Sequence, residues 1–292
     1  MHYGKEITMG FLMATSISAG VIQGGVYNYL GKGVCKDKGN SYLFNAVSYI
    51  ICIIIFAILT AMGKVSLFSV CVGILYGVMT AMSNGYKMIA LGEGPMHLTT
   101  LVTSASMIIP TMSGFIFFGE KFSLVKLIGI VFLLFFIYLS LEKSEDGGTI
   151  NKKWLLFCGL CFVSTGMIGI LQKVHQSSAH KEETAVFLLA GFICSLIYSL
   201  AMSKRFGATL KFNAKYHELA IVCGLCTFAN HYLNLILSGI VPSQIFFPLV
   251  NALPMILIII MSVVIFKEKI TKRQIIGIVG GIASLGCICM LG

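Results

Sequence analysis

Asn230, His231 and Asn234 stand in a stretch, 217–238, that is otherwise mostly apolar, with Thr227 and Ser238 at helical spacing beside them. A second stretch, 66–90, carries Tyr76, Thr80, Ser83, Asn84 and Lys87 at steps of three and four, which puts them on one helix face. Carboxamides, hydroxyls and an imidazole offer hydrogen-bond donors and acceptors together. On one face in apolar surroundings they suit recognition of a small polar solute rather than bond-breaking. Thr80, Ser83 and Thr227 would serve interhelical bonding equally well. Asn84, Asn230, His231 and Asn234 carry more polar atoms than a dry helix contact satisfies, and point to a solvated cavity. Lys87 lies near the end of its run, so its expected role is to snorkel to the headgroups.

Two further stretches add to this set. Thr99, Thr100 and Thr103 share a face in 95–118, as do Gln244, Phe247 and Asn251 in 243–266. Near the N-terminus Gln23 and Tyr27 share a face, and Ser164 and Gln172 lie eight residues apart in 154–174. The candidate solute-binding residues are Gln23, Tyr27, Thr80, Asn84, Thr103, Asn230, His231, Asn234 and Asn251. Pro110, Pro248 and Pro254 fall inside apolar runs, where a missing N–H frees a carbonyl and permits a kink.

Catalysis lacks its ingredients. A membrane enzyme needs clustered carboxylates, a metal set or an activated nucleophile. Apart from Glu183 and Glu218, which stand at the very start of their runs, none of the 11 acidic residues falls inside an apolar run, Glu93 lying just past the exit of one, and the 6 histidines are dispersed from His2 to His231. Cys158 and Cys161 form a CxxC without a second pair, in a segment where cysteine packs as a small hydrophobe. No catalytic residue, metal ligand or cofactor is expected. An integral-membrane enzyme and a non-transporting scaffold are the competing classes.

The elements that must hold these residues follow from composition. Of 292 residues, 57% are hydrophobic and 11% charged, against about a quarter charged in soluble domains. A spanning helix needs about 20 mostly apolar residues, and continuous rather than alternating runs select helices over a barrel. Ten such runs are legible: 8–30, 41–62, 66–90, 95–118 and 124–141, then 154–174, 183–202, 217–238, 243–266 and 274–291. The fold class expected is therefore an all-α integral membrane protein of ten transmembrane helices in the cell membrane. The start of the chain shows no small-residue cleavage site, so a removable signal peptide is not expected. The net charge of +10 is scattered over short loops, which fits charges flanking spans and not a nucleic-acid surface.

The two halves resemble each other. Phe118-Gly119-Glu120-Lys121 returns as Phe266-Lys267-Glu268-Lys269 at a shift of 148, and Gly129 returns as Gly277. A shift of 147 pairs Gly77 with Gly224, Thr80 with Thr227 and Pro95 with Pro242. The same shift lays Asn84 on His231 and Lys87 on Asn234, and the shift of 148 lays Thr103 on Asn251. Ser18 and Gly20 match Ser164 and Gly166 at 146. Five spans per copy is an odd number, so the second copy must enter the membrane from the opposite side. Such inverted repeats, here 1–145 and 146–292, place a solute site near the midplane. Gly20 and Gly24, Gly73 and Gly77, and Gly277 and Gly281 form GxxxG pairs that allow close packing within a monomer; a homodimer through the last helix is the alternative.

A Glu-Lys pair after the fourth and ninth spans, followed eight residues after the Lys by Gly129 or Gly277, resembles the EamA domain of the drug/metabolite transporter superfamily. The resemblance covers the chain as two tandem copies. It implies alternating-access transport of a small organic solute without a cofactor. The Glu-Lys turns themselves read as tight interfacial turns. Thr271 and Gln274 have the spacing of a capping box for the last helix, and Ser123 can cap the fifth. Small multidrug exporters of the superfamily use a glutamate in their first helix; none stands here, which argues against cationic-drug/proton exchange. The expected cargo is a neutral, zwitterionic or anionic metabolite such as an amino acid. The resemblance implies cytoplasmic termini, whereas the count of Lys and Arg by loop places the termini outside.

Overall fold

In the computed structural model, residues 2–31, 37–61, 63–93, 96–121, 123–140, 152–209, 214–266 and 271–290 are described. Among them there is no strand. The helices are α1 (His2–Gly31), α2 (Lys38–Thr60), α3 (Leu67–Glu93), α4 (Met96–Ala105), α5 (Ile108–Phe117), α6 (Leu124–Ser140), α7 (Lys152–Gln176), α8 (Thr184–Arg205), α9 (Ala214–Ile240), α10 (Ser243–Phe266) and α11 (Lys272–Met290). Among the described residues, 7 of them are long and apolar enough to cross a membrane, and shorter apolar helices lie at Val102–Phe117, Leu124–Leu139 and Ser243–Leu257. Large apolar side chains such as Leu67, Ile58 and Phe117 are exposed on the outside of the bundle, where lipid and not water is the solvent they fit.

One expected element differs. The run 95–118 forms two helices, because Ser106 and Met107 make a tight turn between α4 and α5. Ser106 and Met107 donate their N–H groups to Thr103 O and Ser104 O, three residues back. Pro110 has no N–H to return to the Ser106 carbonyl, so the α-helical ladder cannot cross this point. The Ser106 hydroxyl bonds Thr103 O.

Caps follow the sequence. Thr271 N–H donates to Gln274 Oε1 at 2.9 Å while Gln274 N–H donates to Thr271 Oγ1 at 3.3 Å, a reciprocal box at the start of α11. Ser123 Oγ accepts from Lys126 N at 3.4 Å at the start of α6. Gly119 closes α5 with φ 65, a left-handed geometry that suits glycine; the Glu120 N–H reaches back to Gly114 O. The second copy of this turn, at 267–270, lies outside the described residues.

Two apolar cores flank the middle. Tyr49, Phe56, Tyr76, Phe187 and Phe192 join α2, α3 and α8, while Ile130, Leu133, Phe246, Ile256 and Ile288 join α6, α10 and α11. The backbones of α3 and α8 approach closely. A Cβ placed on Gly77 would fall 2.0 Å from Gly191 O, and one on Gly73 2.4 Å from Phe187 O. Both obstacles are backbone, so neither can swing aside. Gly77→Ala is expected to cost at least the ~1–3 kcal/mol of an overpacked core, read as a lower melting temperature in detergent. Gly159→Ala, which meets nothing within 4 Å, should leave it unchanged.

Candidate functional site

A cavity of about 200 Å³ lies between α3, α4, α5, α7, α9 and α10. Six of the nine candidate residues line it: Asn84, Thr103, Asn230, His231, Asn234 and Asn251. Three do not. Gln23 Nε2 donates to Thr227 Oγ1 at 2.7 Å, and the Tyr27 hydroxyl donates to Asn45 Oδ1 at 3.0 Å. Thr80 is buried one turn from Tyr76. Gln23 and Tyr27 therefore tie α1 to α9 and to α2, while Thr80 is buried beside the chamber without lining it: one helical face is wider than the cavity it borders.

The lining side chains are oriented by partners. Asn234 Nδ2 donates to Asn230 Oδ1 at 3.0 Å, Ser16 Oγ donates to Asn234 Oδ1 at 2.6 Å, and Asn230 Nδ2 donates to Ser16 O at 3.1 Å. This triad fastens α9 to α1, so the two asparagines both join helices and face the chamber. His231 Nδ1 shares a hydrogen bond with the Tyr76 hydroxyl, which also accepts from Gln172 Nε2 at 3.3 Å. Phe192 meets the imidazole edge-on, with ring centroids 5.3 Å apart. Asn84 Nδ2 donates to the Tyr49 hydroxyl at 2.8 Å, and Ser83 and Thr165 hydroxyls pair at 2.6 Å. Asn251 bonds only along its own helix, to Phe247 O at 2.8 Å. Each group has a fixed direction and polar capacity left over.

Five polar lining residues stand outside the candidate set: Ser83, Lys87, Ser106, Thr165 and Gln172. Ser83 lay on the polar face of its run, and Gln172 was visible as a polar residue in an apolar run; Thr165 carried no signal. Lys87 differs from expectation, since it borders the chamber. Helical side chains lean toward the N-terminus of their helix, which turns its stem away from the nearby end of α3 and back toward Ser83.

Ion pairs close both ends of α7. Lys173 Nζ donates to Glu120 Oε1 at 2.7 Å and to Ser238 O at 3.0 Å. The same carboxylate accepts from Ser243 N at 2.9 Å and from Ser243 Oγ at 2.8 Å, so it caps the N-terminus of α10. At the other end Glu93 takes Lys38 at 3.1 Å and Lys153 at 2.7 Å. The Lys153 hydrogen bond, with help from Lys38, holds the Glu93 carboxyl below its usual range. The two clusters are about 30 Å apart along α7, close to the thickness of a hydrocarbon core. A third carboxylate, Glu183, accepts from Ser66 N at 3.0 Å and from Ser66 Oγ, and pairs with His180 Nδ1 at 3.0 Å. The Ser66 bond is the main reason its pKa falls to about 2.

Among the described residues no group of His, Cys, Asp and Glu could hold a metal ion. Cys158 and Cys161 are buried free thiols, Cys158 packed beside Trp154.

The match to known proteins follows the same lines. No curated protein sequence matches the chain. A solved crystal structure, described only as that of a protein, covers 97% of this chain and 96% of its own at 12% identity and a TM-score of 0.77; at that identity the likeness is one of fold. The sequence model of the EamA-like transporter family matches residues 152–290. Apolar helices and this match together make the protein a multi-pass integral membrane protein. Over residues 152–290, just under half of its length, the chain is similar to the EamA-like transporter family.

Proposed function

We propose that the protein is a secondary-type transporter that carries a small organic metabolite through the central chamber by alternating access. The observation that carries this reading is the chamber itself: carboxamides, hydroxyls and an imidazole from separate helices converge on about 200 Å³ without a lining carboxylate. The cargo expected is neutral, zwitterionic or anionic. The volume falls below the roughly 300–1,000 Å³ of pockets that take drug-sized ligands, which favours a metabolite over multidrug export.

The architecture we infer is ten spans, with α4 and α5 as one broken span, in two oppositely oriented repeats at 1–145 and 146–292. Helix contacts come in matched sets under the sequence repeat. The packing of α3 on α7 is answered by α1 on α9, and α3 on α8 by α2 on α9. The pairs α2 with α8 and α6 with α11 are each their own counterparts. Rocking of the two repeats around a fixed site is the motion such a build allows.

A thermal-unfolding screen of the purified chain against a metabolite library tests the assignment. A solute at a hundredfold its Kd adds about 2.7 kcal/mol to the state it binds. The expected result is a compound that raises the melting temperature of the wild type and not of His231→Leu. A hit that stabilises both proteins equally would place binding outside the chamber and remove the basis for the reading.

A further inference from the structure

We propose that Lys87 is the anchor for a carboxylate on the transported solute. This rests on the chamber being the solute site and names the class of solute it takes.

Lys87 borders the chamber together with Ser83, Asn84, Thr103, Ser106 and Thr165. No carboxylate is among the lining residues. Among the described residues the ion-paired carboxylates lie elsewhere: Glu93 with Lys38 and Lys153, Glu120 with Lys173, Glu183 with His180. Lys87 takes part in none of these pairs. An ammonium inside a membrane protein is costly and ordinarily faces a partner or a watery cavity. Here the cavity supplies hydroxyls and amides but no countercharge, so the missing anion must come with the solute.

Geometry favours the same assignment. A lysine serving only as a headgroup contact would extend toward the end of its helix. Lys87 instead sits where the lean of helical side chains carries its stem back over Ser83 and Asn84, toward the middle of the bilayer. At the far side of the chamber His231 and Gln172 meet on the Tyr76 hydroxyl. Those groups supply no full negative charge, so they suit the uncharged or donor-bearing part of the molecule. A solute with a carboxylate at one end and hydrogen-bonding groups at the other, an amino acid with a polar side chain or a hydroxy acid for example, matches both walls.

The test uses the full chain in detergent, with two substitutions and a paired panel. The probes are the common α-amino acids and small 2-hydroxy acids, each beside its own primary carboxamide, which keeps the shape and removes the negative charge. Acids should stabilise the wild type and their carboxamides should not. Lys87→Met should weaken acid binding by roughly 30-fold or more, the usual consequence of removing one member of a desolvated charge pair, and Lys87→Arg should recover part of it. A readout that needs no ligand accompanies this. Because the ammonium lacks a countercharge, Lys87→Met should melt at or above the wild-type temperature. The proposal is overturned if no acid binds, if acids and carboxamides bind alike, or if Lys87→Met melts well below the wild type, which would make Lys87 structural. Carboxamides that bind wild type and not His231→Leu would sink the carboxylate anchor while leaving the chamber as the solute site.

Discussion

Glu120→Ala is expected to cost about 3–5 kcal/mol of stability, the range for breaking a buried ion pair from one side. Glu120 and Lys173 have side-chain exposures of 15% and 10%. Removing the carboxylate leaves the ammonium with only the Ser238 carbonyl. It also uncaps α10, whose first N–H donates to both carboxylate oxygens. Three chain segments that meet nowhere else in sequence then lose their common partner: the turn after α5, the end of α7 and the start of α10. A large fall in melting temperature in detergent checks this. The double substitution Glu120→Gln with Lys173→Met should recover part of the loss, because no unpaired charge remains. Equal melting of Glu120→Ala and wild type would contradict the reading of this pair as a structural clasp.

That clasp shows where the sequence stops being legible. The turn motif around Glu120 is visible in the sequence and reads as a tight interfacial turn. Its partners are not visible. Lys173 and Ser243 are distant in sequence and come together only when α7 and α10 pack, so no local pattern announces them. The same holds for Ser66 with Glu183.

Spans were legible because lipid imposes a length and a composition on each one, and the capping box at Thr271 because it is complete within four residues. The break between α4 and α5 was half legible. Pro110 stood out in the sequence, but its effect appears four residues earlier, at the Ser106 carbonyl it cannot serve. For the chamber, period alone found the polar faces of α3 and α9. It also gathered Gln23 and Tyr27, whose amide and hydroxyl turn to neighbouring helices, and Thr80, which is buried off the chamber wall. For Lys87, distance from the helix end points to the headgroups, whereas the lean of helical side chains turns it toward the chamber it borders.

The second large effect concerns space rather than charge. Asn251→Trp puts an indole into a chamber of about 200 Å³. The lost amide bonded only the Phe247 carbonyl of its own helix, so the fold loses little and the chamber loses most of its room. Solute binding and transport should fall by at least about tenfold, a loss of roughly 1.4 kcal/mol or more in affinity. The ligand-free melting temperature should stay near that of the wild type.

The most direct measurement is counterflow of the solute that stabilises the wild type. Liposomes would be preloaded with unlabelled solute and carry either wild-type protein or Asn251→Trp. An account built on a central polar chamber predicts accumulation of labelled solute with the wild type and background uptake with the variant. Accumulation at the wild-type rate by Asn251→Trp would mean that the solute takes another path, and would contradict it.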